Sequence, residues 1–155
     1  MGFSYGTLLD PGHESEARER WEIDFRKPGP VLDAGGIIEN EFQMLRAIIR
    51  TGNVLKYHSF EVFQIVYPTP MDPEYENWSN NLETEFERTV EMVLPEFLDE
   101  LCTIPPSEIE SIAEQWSGET LIDDPEYFVL ILREVIALAK LARSKQMGVF
   151  ASQYT

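Results

Sequence analysis

Residues 124–152 read DPEYFVLILREVIALAKLARSKQMGVFAS, and the architecture follows from how that stretch divides. Asp124 can cap a helix start, Pro125 has the fixed φ suited to a first helical position, and Glu126 places negative charge where the helix dipole favours it. From there to about Lys145 the chain is apolar almost all round. Arg143 and Lys145 followed by Gly148 make a pattern of late cations and a glycine stop. A helix apolar on nearly every side is expected at the centre of a fold, with other elements packed around it. Val149-Phe150-Ala151-Ser152 predicts a final strand that returns to a sheet. The longest apolar run, Tyr127 to Leu132, is too short to cross a bilayer.

Upstream, Asp72-Pro73-Glu74 repeats the device of Asp124-Pro125-Glu126. It predicts a helix over 73–101 with Trp78, Leu82, Phe86, Val90 and Val93 on one face and Glu83, Glu87 and Glu91 in a row beside them. Pro95 should kink or restart that helix, leaving Glu96 to Leu101 as a short piece. Pro105 and Pro106 open a third helix over 106–117, with Ile109, Ile112, Ala113 and Trp116 inward, Glu108, Glu110 and Glu114 outward, and Gly118 as its stop. In the first third, Trp21, Ile23 and Phe25 alternate with charged residues as a half-buried strand does. Lys27-Pro28-Gly29-Pro30 ends it, and Ala34-Gly35-Gly36 makes a second break. Ile38, Phe42, Leu45, Ile48 and Ile49 then recur at threes and fours, an amphipathic helix over 38–51 closed by Gly52-Asn53. Phe60 to Tyr67 is rich in β-branched and aromatic residues and predicts a central strand stopped by Pro68 and Pro70. The expectation is one α+β domain over 1–155, strand-rich over 1–70 and helical and acidic over 72–147. Its small, mostly antiparallel sheet of three or four short strands packs against four or five helices.

The charge is uneven. Between Asp72 and Glu126 stand seventeen acidic side chains and one basic one, Arg88, so this segment carries the whole net charge of −16. Solubility is served by spread charge, whereas like charges gathered in one third of the chain repel one another within a Debye length of about 8 Å. Such a field steers and holds a basic partner. It also repels nucleic acid and anionic membrane surfaces, so neither is an expected ligand.

Catalytic and cofactor signatures are sparse. His13 in Gly12-His13-Glu14 and His58 in Tyr57-His58-Ser59 fall in no motif, and Cys102 sits between Leu101 and Thr103-Ile104, a setting that favours an inert thiol. The glycines form neither a P-loop nor a dinucleotide fingerprint, so no cofactor is expected. A lone cysteine permits no intrachain disulfide, and the Met1-Gly2-Phe3-Ser4-Tyr5 start lacks a secretory pattern, which together favour a reducing cytoplasm. The enzyme alternative is a carboxylate-metal phosphohydrolase, with Glu83, Glu87 and Glu91 facing Glu108 or Glu114 across a Mg²⁺ or Mn²⁺ ion. Glu96-Phe97-Leu98-Asp99 fits one half of the acidic helix pair used by all-α nucleotide pyrophosphatases, but the other half is missing and Arg88 is the only cation nearby for a phosphate. No metal site is therefore assigned. A structural subunit of a larger assembly is the third alternative.

The reading that fits these features best is a non-catalytic acidic protein that masks a basic protein partner, in the manner of a toxin-immunity protein or nuclease inhibitor. Its expected electrostatic contacts are Glu83, Glu87, Glu91, Glu108, Glu110, Glu114 and Asp123. Tyr75 and Trp78 are the expected apolar anchors, because desolvated aromatics carry affinity while charge sets on-rate.

Overall fold

The structure, a computed structural model, describes residues 4–13, 31–67, 71 and 90–154. The strand expected around Trp21–Phe25, the Asp72-Pro73-Glu74 helix start, and Tyr75, Trp78, Glu83 and Glu87 lie outside the described residues. The fold is α+β. Five strands, β1 (Gly6–Gly12), β2 (Leu32–Gly35), β3 (Phe63–Tyr67), β4 (Val90–Val93) and β5 (Gly148–Tyr154), form one antiparallel sheet in the order β2-β1-β5-β4-β3. Among the described residues four α-helices accompany it: α1 (Glu39–Thr51), α2 (Pro95–Cys102), α3 (Ile109–Gly118) and α4 (Pro125–Ser144).

The described sheet has five strands where three or four were expected, because β1, β2 and β4 are missed by pattern alone, β2 lying where Ala34-Gly35-Gly36 reads as a break. Gly6-Thr7-Leu8-Leu9-Asp10-Pro11-Gly12 carries a proline and two glycines and does not alternate, yet it pairs with β5 along its whole length. Pro11 is tolerated because β2 pairs only with Gly6 to Leu9, leaving Pro11 with β5 as its one described neighbour. Phe63–Tyr67, expected to be central, does not lie at the centre of the described sheet. It is the last strand of the described sheet and bears a bulge between Ile65 and Tyr67, a device common at sheet edges. The centre is instead β5, the expected returning strand.

Period-two burial sorts the sheet into two faces. Leu9, Ala34, Phe63, Val93, Val149 and Ala151 join the main core with the helices, whereas Met92 and Phe150 pack together on the opposite face with Val66 against them. On that second face Gly12 and Gly148 are paired across β1 and β5 because there is no room for more. A Cβ at Gly12 would strike the edge of the Phe150 ring, and one at Gly148 the end of Met92.

On the helical side the expected inward residues behave as read. Trp116 is fully buried and its Nε1 donates to the Glu41 carbonyl at 2.7 Å; Phe128 meets its ring edge-on at 4.7 Å, and Phe42 lies 5.8 Å away. One aromatic cluster thus joins α3, α4 and α1. α4 starts as the sequence predicts, with the Asp124 carboxylate accepting from the Tyr127 N–H at 3.2 Å and Pro125 at its first position. It buries one side, from Phe128 and Ile131 through Val135 and Ala139 to Ala142, and leaves Leu130 exposed, so it is amphipathic, not enclosed.

Its stop differs as well. Gly148 belongs to β5, and the left-handed position is taken by Gln146 at φ 55°. The Met147 N–H reaches the Ala142 carbonyl at 2.8 Å and the Gln146 N–H the Arg143 carbonyl at 3.2 Å, a Schellman closure. At the other end of the chain, Thr7 Oγ1 donates to the Ile37 carbonyl at 2.7 Å, and Gly36 at φ 78° turns β2 into α1.

A candidate acidic interaction surface

From Glu108 to Glu126 the chain carries seven acidic residues and neither Lys nor Arg, and all seven are exposed. α3 supplies the platform. Its buried side, Ile109, Ala113 and Trp116, is held by the aromatic cluster, which turns Glu110 and Glu114 outward one turn apart. Glu108 ends the 3-10 turn Pro106–Glu108 that leads into the helix, and Asp123 lies in the connection to α4. Of the expected contacts, Glu108, Glu110, Glu114 and Asp123 therefore share one solvent-facing stretch.

Glu91 does not belong with them. It lies in β4, opposite Ala151 of β5 and Ile65 of β3, so the proposed helical row with Glu83 and Glu87 does not exist at this position. The short run Val90-Glu91-Met92-Val93 satisfies a strand as well as a helix end, and pairing with β5 decides it. Glu91 is half-buried beside Glu39. Burial first, then repulsion from Glu39, push its carboxyl above the usual range, and a hydrogen bond from Gln153 pulls the other way. Burial likewise raises Glu39, whose N–H donates to Gln153 Oε1 at 3.0 Å. This carboxylate pair, clamped by one amide, is internal structure.

Several acids of the surface have local duties. Asp124 caps α4, and Glu126, Glu108 and Glu110 stand at helix starts where the dipole welcomes them. Glu110 also lies 3.6 Å from Arg133. Glu114, Glu119 and Asp123 have no such role. Glu119 caps the C-terminus of α3, where the dipole disfavours an anion. None of the three has a cation within ion-pair distance among the described residues.

Between Glu119 and Asp123 stands Leu121, 100% exposed. The loop that presents it is well bonded: Ser117 Oγ accepts from the Asp124 N–H at 2.9 Å and donates to the Ile122 carbonyl at 3.2 Å, and Thr120 Oγ1 lies 3.0 Å from both the Ser117 and Ile122 carbonyls. Exposing a leucine that could be buried forgoes about 1.5–3 kcal/mol. Leu121 was not among the expected anchors. The sequence places two adjacent apolar residues, Leu121 and Ile122, between a helix stop and a helix cap, and only the loop's hydrogen bonds decide that Ile122 packs against the core while Leu121 points away from it.

Two other described acids of the segment are paired within the fold. Arg46, only 7% exposed, forks onto Glu100 with Nε at 2.9 Å and Nη2 at 3.0 Å, while its Nη1 donates to the Glu61 carbonyl. Asp99 lies 3.4 Å from Arg143. Among the described residues no group of three acidic, histidine or cysteine side chains is disposed to hold a metal ion, and no helix is long and apolar enough to cross a membrane. Comparison with protein-family models, with curated proteins and with solved structures finds no match.

Proposed function

We propose that this protein is a non-catalytic binding protein that masks a basic protein partner, as a toxin-immunity protein or nuclease inhibitor does. The observation that carries the reading is the set Glu114, Glu119 and Asp123, exposed and without described cation partners, around the fully exposed Leu121. The carboxylates attract and orient the partner before contact; Leu121, entering an apolar pocket rimmed by Lys or Arg, then prolongs the complex. Glu108 and Glu110 extend the field along α3. An acid at the C-terminus of α3 and an exposed leucine both cost folding stability, and a bound basic partner offsets both.

The experiment is capture from the producing cell with wild-type protein, Glu114→Gln/Glu119→Gln/Asp123→Asn, and Leu121→Ser as parallel baits, followed by association and dissociation rates with the purified partner. A basic protein held by wild type, associating more slowly with the triple variant and dissociating faster from Leu121→Ser, is expected. A partner that binds all three baits with equal rates, or one that is acidic, removes the reading.

A further inference from the structure

The flank of α4 that faces the outer strand of the sheet has a separate feature. Between Val31 and Leu32 on one side and Glu134, Ala137, Leu138 and Leu141 of α4 on the other runs an open groove of about 310 Å³. Leu138, buried, forms its floor, and Leu130, 53% exposed and one turn before Glu134, continues the apolar surface along the helix. Among the described residues every lining side chain is hydrocarbon except Glu134. The groove is distinct from the acidic surface and uses none of residues 108–123.

Its size falls at the lower end of the roughly 300–1,000 Å³ typical of small-molecule sites, which are apolar with a few placed polar groups. The polar group here is an anion in an anionic neighbourhood. Tyr127, whose hydroxyl donates to the Gly35 carbonyl at 2.7 Å and ties α4 to the end of β2, has its phenol pushed up to about 12 by burial first and then by Asp33, Glu134 and Asp124. An anionic ligand is repelled from this end, and a neutral one gains nothing from the carboxylate. A cation on an apolar body answers both. Lys145, one turn beyond Leu141, sets the direction, with the cationic head at the Glu134 end.

We propose that the groove between β2 and α4 binds a small aliphatic or aromatic amine in its protonated form, the ammonium against Glu134 and the hydrocarbon body along Leu32, Ala137 and Leu141. This site stands independently of the protein-partner reading.

Octylammonium chloride is the probe, titrated into the full ¹⁵N-labelled chain with methylammonium, 1-octanol and octanoate in parallel. Octylammonium should shift the amides of Leu32, Glu134, Ala137 and Leu141 saturably in the millimolar range, as expected of so small a ligand. Octanol should bind about two- to fivefold more weakly, the worth of one exposed ion pair, and octanoate and methylammonium should not saturate. Glu134→Gln should bring octylammonium and octanol level. Ala137 is exposed, so Ala137→Trp fills the groove from outside and should abolish the shifts; Ala137→Arg, whose flexible side chain sets a guanidinium beside Glu134, provides a second test through charge if the tryptophan disturbs folding. Shifts scattered over the acidic surface, octanoate matching octylammonium, or undiminished binding in both Ala137 variants would each overturn the proposal.

Discussion

Glu100 and Glu114 come from the same acidic stretch and meet opposite fates. Glu100, on α2, receives a two-pronged hydrogen bond from the buried Arg46 and ties α2 to α1. Glu114, on α3, faces water with no described cation beside it. Charge count treats the two alike, but their environments give them different work: a carboxylate desolvated with its partner holds the fold, whereas one left in solvent contributes only field. The excess of −16 is therefore not one functional surface. Among the described residues part of it is internal structure, and another part lies exposed from α3 to the start of α4.

The comparison breaks most sharply at Arg46. Arg46→Met takes the two-pronged bond from the partly buried Glu100, leaving it only the exposed Arg50 at 3.7 Å, and should cost about 3 kcal/mol in urea unfolding, the low end for a broken buried pair, whereas Glu114→Gln should lie within about 0.5 kcal/mol of wild type. Equal losses would erase the distinction between the two regions. Next in size are the paired glycines. Gly12→Ala drives a methyl into the rigid Phe150 ring and should cost about 1–3 kcal/mol. Gly148→Ala should cost less, because the end of Met92 is flexible and can swing aside.

Smaller again is the closure of α4. Gln146→Gly relieves a left-handed backbone at φ 55° and should raise stability by about 0.5–1 kcal/mol, read as a higher melting temperature.

The Glu39–Glu91 pair sharpens the contrast through pH. Both carboxyls have folded-state pKa values raised above the ordinary 4.5, so the folded protein takes up their protons more readily than the unfolded chain. Stability from this source is absent at neutral pH, appears as pH falls through the folded pKa values, and is complete below 4.5. Urea midpoints for Glu91→Gln should therefore lie above wild type at pH 7 and converge with it on acidification. A variant less stable than wild type at pH 7 would contradict the assignment of Glu91 to a repulsive, half-buried site. The smallest effect on folding belongs to Glu114→Gln/Glu119→Gln/Asp123→Asn, which should leave stability unchanged or slightly raised by a few tenths of a kcal/mol.

Local signals were read correctly where the physics is local. Asp124-Pro125-Glu126, the Gly52-Asn53 stop, the short helix opening at Pro95, and the inward stripe of Ile109, Ala113 and Trp116 depend on caps, fixed φ angles and helical periodicity within a few residues. So did the exposure of Glu108, Glu110 and Glu114, since they alternate with that stripe. What failed depended on distant partners. β1 has poor strand composition and exists because β5 pairs with all seven of its residues. Val90–Val93 fits two periodicities, and the sheet chose between them, taking Glu91 out of the expected surface. Arg46 looks like an ordinary helix-surface cation in the sequence and becomes buried only because α2 brings Glu100 to it.

The amino-acid sequence by itself determined the α+β class, the starts of α2 and α4 and the location of the excess charge along the chain, because propensity, capping and charge are properties of residues and their near neighbours. Strand order, the place of β3 at the end of the described sheet, the fate of each described carboxylate and the exposure of Leu121 were decided only in the tertiary structure. The physical reason is that each rests on desolvation and on hydrogen bonds between groups far apart in the chain, such as the 54 residues separating Arg46 from Glu100, and no local pattern records which distant group will arrive.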